Sequence, residues 1–200
     1  MELTYGRYLK VEELLQLQQP LSEGPEHDEM LFIIIHQVYE LWFKQILHEL
    51  EKLKSSFQEG ERGKALHTLK RIRSILKVLV SQVDVLETMT PLEFLSFRER
   101  LQSASGFQSC QFRELEFTLG LKNPKHLEHY PQGSEERNRL EKKMEEPSLW
   151  EVFLQFLSSL GHDSPKLKEG GRPSEPPDSS EDIQDLLEKI YRNHPDSALV

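Results

Sequence analysis

The stretch of residues 27–50 constrains the fold more than any other part of this 200-residue chain. It is mostly apolar, yet two histidines, His36 and His48, lie inside it, in addition to His27 at its start. Residues three and four apart share a helix face, so Phe32, His36 and Tyr39 lie on one stripe of the predicted helix. A buried imidazole needs a hydrogen-bond partner or a ligand. His36 is therefore either a satisfied core histidine or part of a binding site.

The periodicity of the remaining sequence predicts an all-α fold. Helical spacing of apolar residues recurs along the chain, whereas alternating strand patterns and Asn-Gly or Asp-Gly hairpins are absent. A tight break at residues 59–63 separates two long helices and predicts an antiparallel pair. The helices that we predict cover residues 11–19, 28–57, 64–88, 107–119, 134–146 and 182–192, with two more that start at Pro91 and Pro147.

Capping residues predict where two helices begin, and composition predicts where the chain forms a flexible segment. Asp28 is a candidate N-cap of the long helix, and Thr90 followed by Pro91 is a candidate N-cap and first turn. Residues 161–181 are rich in Gly, Pro and Ser, which predicts a flexible loop or linker. We expect one helical domain over residues 1–200, incomplete at its C-terminus.

Composition excludes several function classes. The net charge of -9 argues against a nucleic-acid-binding protein. A single cysteine, Cys110, excludes an internal disulfide and a cysteine-based zinc cluster, and it fits a reducing compartment. The apolar run at residues 30–35 is too short to span a membrane, and the first residues have no apolar signal core. We therefore predict a cytoplasmic protein without a membrane partner.

Common metal and nucleotide motifs are absent as well. A helical di-iron site needs Glu-x-x-His on two helices, and no histidine here follows a glutamate at that spacing. The His-Glu-x-x-His motif, the phosphate-binding loop and the Rossmann glycine motif are also missing. The pair His126 and His129 lies in a polar, proline-flanked stretch and is interpreted as a solvated loop.

Three blocks of sequence resemble the tryptophan 2,3-dioxygenase family. They are TYGRYLKVEELLQLQQPLS at residues 4–22, HDEMLFIIIHQVYELWFKQILHEL at residues 27–50 and TPLEFLSFRERLQSASGFQSCQFRELE at residues 90–116. The resemblance implies an all-α, long-helix bundle that assembles as a homotetramer and binds haem b with its iron. It also implies that O2 opens the indole ring of L-tryptophan to give N-formylkynurenine.

The resemblance assigns a role to His36 and to the residues around it. It places His36 on the distal side of the haem as the catalytic residue that hydrogen-bonds the indole N–H, with Phe32 and Phe94 packed against the substrate. It gives Arg98 a bidentate grip on the substrate carboxylate. Taken without the family, Arg98 can equally be a surface arginine paired with an adjacent glutamate, Glu93 or Glu99.

Two further groups of residues take roles from the same resemblance. Ser105 and Gly106 would form a turn that meets the haem and the bound oxygen; the alternative is an ordinary helix break. Tyr5, Tyr8 and Leu9 would reach into the active site of a neighbouring subunit; the alternative is a loose N-terminus.

The chain also departs from the family pattern. The proximal haem histidine and a glycine-rich GTGGS-type motif have no counterpart before residue 200, so we assign no metal ligand to this chain. His194 is rejected because Pro195 disfavours helical geometry at the preceding residue. Two alternatives follow: a haem oxygenase of the same superfamily that acts on a related aromatic amino acid, or a truncated, non-catalytic helical subunit that serves assembly.

Overall fold

The structure, a computed structural model, describes residues 3–24, 26–102, 104–162, 185, 187–189 and 192. All regular secondary structure in these residues is helical, which confirms the predicted all-α fold class. Short 3-10 helices occupy Glu99–Leu101, Gly106–Gln108 and Pro124–His129. We number the α-helices α1 (Tyr5–Leu9), α2 (Val11–Leu14), α3 (His27–Gln58), α4 (Arg62–Leu86), α5 (Pro91–Arg98), α6 (Cys110–Leu119), α7 (Glu135–Glu145) and α8 (Leu149–Ser159).

The two longest helices, α3 and α4, form the centre of the fold. The hydroxyl of Tyr39 donates to the carbonyl of Leu79 at 2.7 Å. Further along, Arg71 Nη1 lies 2.9 Å from Glu49 Oε1. Residue numbers therefore rise along one helix as they fall along the other, which confirms the predicted antiparallel pair. Gly60 turns the chain between them with a φ of 73°, a conformation that costs glycine no steric strain.

Apolar side chains of α3, α4 and α8 fill the main core. The ring of Phe57 packs against that of Phe156 with 5.1 Å between centroids. Each fully buried aliphatic or aromatic side chain contributes about 1.5–3 kcal/mol, so this core holds α8 across the α3–α4 pair. The buried members are Ile46, Leu50, Leu53, Phe57, Ala65, Ile72, Ile75, Leu79, Leu115, Val152 and Phe156.

The predicted start of α5 is confirmed, whereas the predicted cap of α3 is wrong. Thr90 and Glu93 form a reciprocal capping box, in which each side chain accepts a hydrogen bond from the other residue's backbone N–H. In α3 the N-cap residue is Glu26, without a side-chain cap. Asp28 lies inside the first turn, where its negative charge interacts favourably with the positive end of the helix dipole.

Two predicted helices are shorter in the structure. The helix expected over residues 11–19 ends at Leu14, and it is separated from α1 by Lys10 in the left-handed region with a φ of 51°. The helix expected from residue 107 begins as α6 only at Cys110, because Ser109 caps it by accepting a hydrogen bond from Phe112 N at 3.1 Å. The 3-10 turn Gly106–Gln108 precedes it.

Most of the predicted loop at residues 161–181 and of the predicted helix at residues 182–192 lies outside the described residues. The helices that are described include none with an apolar stretch long enough to cross a membrane.

Lys122 connects α6 to the end of α7 from a buried position, with 7% of its surface exposed. Its Nζ donates to the carbonyls of Met144, at 3.1 Å, and Glu146. The last carbonyls of a helix have no partner within that helix, so this ammonium group satisfies acceptors that burial would otherwise leave unpaired. Burial lowers the pKa of Lys122, since it disfavours the charged form.

We expect Lys122→Ala to lower the free energy of unfolding by about 1–3 kcal/mol, because buried carbonyl groups lose a charged donor. Urea unfolding followed by circular dichroism measures the change. Lys142→Ala is the matched control, since the Lys142 side chain is 77% exposed and should change stability by less than about 0.5 kcal/mol. Equal stability of the two variants would contradict this role of Lys122.

Candidate functional site

The imidazole of His36 is held by its own helix. Nδ1 lies 2.8 Å from the carbonyl oxygen of Phe32, one turn earlier in α3. A carbonyl oxygen can only accept a hydrogen bond, so Nδ1 is the donor in this contact. In a neutral imidazole the other nitrogen, Nε2, then carries a lone pair and no proton. His36 therefore offers one fixed acceptor to a ligand.

The space next to this acceptor is kept open by Gly106. A Cβ atom added to Gly106 would lie 3.8 Å from His36 Nε2 and 4.0 Å from Cδ2. A methyl group would thus occupy a position in contact with the imidazole edge. Glycine leaves this position free, so a flat ligand can approach the nitrogen closely.

An aromatic wall stands beside the imidazole. The ring of Phe32 lies over His36 with 4.1 Å between centroids. Phe94 and Phe97 of α5 lie 5.8 and 5.6 Å from Phe32, and they contact each other edge to face at 5.5 Å. Such pairs are worth about 0.5–1.5 kcal/mol beyond their buried area. Phe97 is fully buried and anchors the wall, whereas Phe32 and Phe94 are half-buried.

Arg98 ends α5, four residues after Phe94, and is half-buried. Its Nη1 donates to the carbonyl of Gln102 at 3.1 Å. Among the ion pairs of the described residues, none joins Arg98 to Glu93 or Glu99. The surface pairing considered from the sequence is therefore absent there, and the guanidinium is not neutralised by an adjacent carboxylate.

A polar tie joins α3 to α6 one turn after His36. The side-chain amide of Gln111 donates to the Glu40 carboxylate at 2.7 Å and to the Glu40 carbonyl at 3.0 Å. The hydroxyl of Tyr130 donates to the Gln108 carbonyl at 3.2 Å. Together these bonds hold the segment that contains Ser105 and Gly106 against α3. The sequence does not predict this contact, because an isolated glutamine carries no periodic signal.

A pocket of about 360 Å³ opens beside His36 between α2, α3 and α6. Its walls are mostly apolar, and its polar groups come from α3 and α6. Phe94 and Arg98 belong instead to the aromatic wall on α5. The residues that line the pocket are Leu14, Leu17, His36, Gln37, Glu40, Leu41, Lys44 and Gln111.

The N-terminal residues that were predicted to reach a neighbouring subunit, which we call the arm, lie on the surface of their own subunit. Tyr5, Tyr8 and Leu9 are 78%, 72% and 46% exposed. They share one face of α1, because they are three and four residues apart. The structure therefore does not place them beside His36 of their own chain.

Cys110, the first residue of α6, is not a nucleophile at neutral pH. Burial raises the pKa of its thiol to about 11, and the nearby Glu114 carboxylate acts in the same direction. The thiolate is the reactive form of cysteine, and it is scarce well below that pKa. The thiol lies 3.7 Å from the Glu136 carbonyl, to which it donates.

Comparison with known proteins extends the resemblance over most of the chain. The family model of tryptophan 2,3-dioxygenase matches residues 1–172. A tryptophan 2,3-dioxygenase of Herpetosiphon aurantiacus is 52% identical over 193 residues, which are 96% of this chain and 74% of that protein. The enzyme of the same name from Anaeromyxobacter sp. strain K is 50% identical over 99% of this chain and 74% of its own length.

A more distant relative shows the same relationship. The tryptophan 2,3-dioxygenase of Xanthomonas oryzae pv. oryzae is 42% identical over 96% of this chain and 64% of its own length. The match to the family model spans α1 to α8, and thus the segments that carry the imidazole, the aromatic wall and the turn at Gly106. The chain belongs to the tryptophan 2,3-dioxygenase family.

Proposed function

We propose that this protein is a haem-dependent dioxygenase that opens the indole ring of L-tryptophan with O2 and releases N-formylkynurenine. Both oxygen atoms enter the product as the bond between indole C2 and C3 breaks. The observation that carries the proposal is the fixed acceptor, His36 Nε2, which faces the open position next to Gly106. Membership of the family supplies the reaction and the substrate.

The residues at this position fit the distal face of a haem. A flat macrocycle needs a wall without a protruding side chain, and Gly106 provides one next to His36. Ser105 and the Gly106 backbone would contact the haem and the oxygen that it binds. When bound, haem b with its iron binds and activates O2, while the protein binds and orients the substrate.

The described side chains can bind tryptophan by three different contacts. His36 Nε2 accepts a hydrogen bond from the indole N–H, since Nδ1 is already used by the Phe32 carbonyl. Phe32 and Phe94 pack against the indole ring. Arg98 binds the carboxylate through parallel N–H···O bonds.

We further propose that the enzyme works as a homotetramer in the cytoplasm. The exposed face of α1, with Tyr5, Tyr8 and Leu9, would complete the active site of a neighbouring subunit. Exposed large aromatic residues favour such a role, because contacts between proteins are rich in tyrosine. The single Cys110 is compatible with a reducing compartment.

In a haem-loaded protein that also carries the proximal haem histidine of the family, His36→Ala should weaken tryptophan turnover and leave haem binding intact. The lost hydrogen bond is worth about 0.5–1.5 kcal/mol, which corresponds to a loss of roughly two- to tenfold in affinity for tryptophan. Haem absorbance and steady-state turnover measure the two effects separately. His48→Ala is the matched control, because His48 is an exposed histidine of the same helix. Loss of haem absorbance in a well-folded His36 variant would contradict the distal assignment.

Arg98→Ala should raise the KM for tryptophan by roughly 10- to 150-fold, since a charge-assisted grip is worth about 1.5–3 kcal/mol. Tryptamine has no carboxylate, so its turnover should change little. Arg73→Ala, on the exposed side of α4, is the control. If the KM values for tryptophan and tryptamine rise by the same factor, Arg98 does not bind the carboxylate.

Removing residues 1–10 should lower activity while most of the helix content remains, because α1 contributes no buried residue to its own subunit. Mixed tetramers of this deletion with Arg98→Ala should recover part of the activity, since some sites combine an intact Arg98 with an intact Tyr5 and Tyr8. Turnover after verified subunit exchange measures the recovery. Unchanged inactivity would mean that the arm does not act across the subunit boundary.

A further inference from the structure

The segment of residues 14–22, which we call the strap, runs along α3 and is bonded to it at two places. The first place is Gln37. Its side-chain amide donates to the Leu17 carbonyl at 3.0 Å, and its side-chain oxygen accepts from Gln18 Nε2 at 2.5 Å. Gln18 also donates to the Leu14 carbonyl at 3.0 Å. One glutamine of α3 thus holds both backbone and side chain of the strap.

The second place is Glu29, which is 1% exposed. Its two carboxylate oxygens accept hydrogen bonds from Leu21 N at 2.7 Å and Ser22 N at 3.0 Å. Burial by itself raises the pKa of Glu29, but the hydrogen bonds from Ser22 and Leu21 outweigh it and hold this pKa below its usual value. The carboxylate is therefore charged at neutral pH and binds the strap firmly.

These two contacts lie on opposite sides of His36 along α3. Glu29 comes seven residues before His36, and Gln37 directly follows it. At 1.5 Å per residue, the two contacts are about 12 Å apart along the helix axis. Leu14 and Leu17, at the end of the strap that Gln37 holds, line the same pocket as His36.

An apolar wall at this position affects what His36 can bind. Water that reaches the imidazole competes for the lone pair of Nε2 and weakens any hydrogen bond from a ligand. Excluding water lowers the local dielectric and strengthens such a bond. The contribution of Leu14 and Leu17 therefore depends on the contacts that keep the strap closed.

We propose that Gln37 and Glu29 are positioning residues, which hold the strap of their own subunit against α3 and so keep water from the acceptor of His36. The proposal rests on the proposed function, in which that acceptor binds the indole N–H. It assigns the segment after the arm a role in its own subunit's site, in addition to the role of the arm in a neighbouring subunit.

The test compares Gln37→Ala and Glu29→Gln with the unchanged, haem-loaded protein. In Glu29→Gln the side-chain oxygen can still accept one of the two hydrogen bonds from the strap backbone. The NH2 group that replaces the second oxygen cannot accept the other, and it places its own N–H donors next to a backbone N–H. Gln19→Ala is the matched control, because Gln19 lies in the strap and bonds only locally, to the Gln16 carbonyl. Circular dichroism verifies the helix content of each variant.

Two readouts separate positioning from a general loss of structure. The first is amide hydrogen exchange of residues 14–22, which should become at least tenfold faster in both variants and stay unchanged in Gln19→Ala. The second is affinity, measured by haem absorbance, for tryptophan and for its analogue with sulfur in place of the indole N–H. Affinity for tryptophan should fall three- to tenfold, and affinity for the sulfur analogue by less than twofold.

Each other outcome overturns the proposal. Unchanged exchange means that Gln37 and Glu29 do not hold the strap. Faster exchange with unchanged affinity means that the strap does not contribute to ligand binding. An equal loss of affinity for both ligands means that the strap changes the shape of the site and does not act through the hydrogen bond to His36. Loss of helix content in both variants assigns the two residues to folding. If the unchanged protein fails to convert tryptophan, the proposed function fails, while exchange still decides whether the strap is held.

Discussion

The packing of α3 against α4 is the interaction on which the other parts of the molecule depend. One side of α3 supplies Ile46, Leu50 and Leu53 to the main core. The first half of the same helix carries His36 and its ring partner Phe32. Because both halves belong to one unbroken helix of 32 residues, the core fixes the direction of the imidazole without a separate scaffold.

Hydrogen bonds then set the chemical state of the site. A backbone carbonyl selects the tautomer of His36, which is a more rigid partner than a side chain because it cannot rotate out of the helix. The hydrogen bond from Gln111 to Glu40 sets the distance between α6 and α3. It thereby sets where the turn at Gly106 contacts the imidazole. The geometry at His36 thus depends on a backbone carbonyl and on the contact between Gln111 and Glu40.

The sequence was sufficient to predict features that short-range chemistry determines. The N-cap at Thr90 was predicted from the Thr90-Pro91 pair alone, and the structure adds Glu93, three residues later, as its partner in a capping box. The antiparallel pair follows from two long apolar stripes and a short break. The cap of α3 was predicted incorrectly, because Asp28 has equally good chemistry within the first turn and local pattern cannot separate the two positions.

Features that depend on residues far apart in the chain could not be predicted from the sequence. Gln37 contacts a residue 20 positions away, and Gln111 contacts one 71 positions away. Glutamine at such positions looks like any solvated residue until the fold brings its partner close. The family resemblance supplied roles for His36 and Arg98, yet it gave no reason for the tautomer or for the open position next to Gly106.

The attachment of the strap limits the geometry of any assembly that shares the N-terminal arm. Tyr5 lies 12 residues before Leu17, which Gln37 holds to its own subunit. With α1 and α2 kept helical, that length of chain spans about 25 Å, and even fully extended it spans about 40 Å. Two subunits can therefore exchange arms only if the receiving site of one lies within this radius of the strap of the other. In such an assembly, subunits whose receiving sites lie beyond this radius cannot exchange arms.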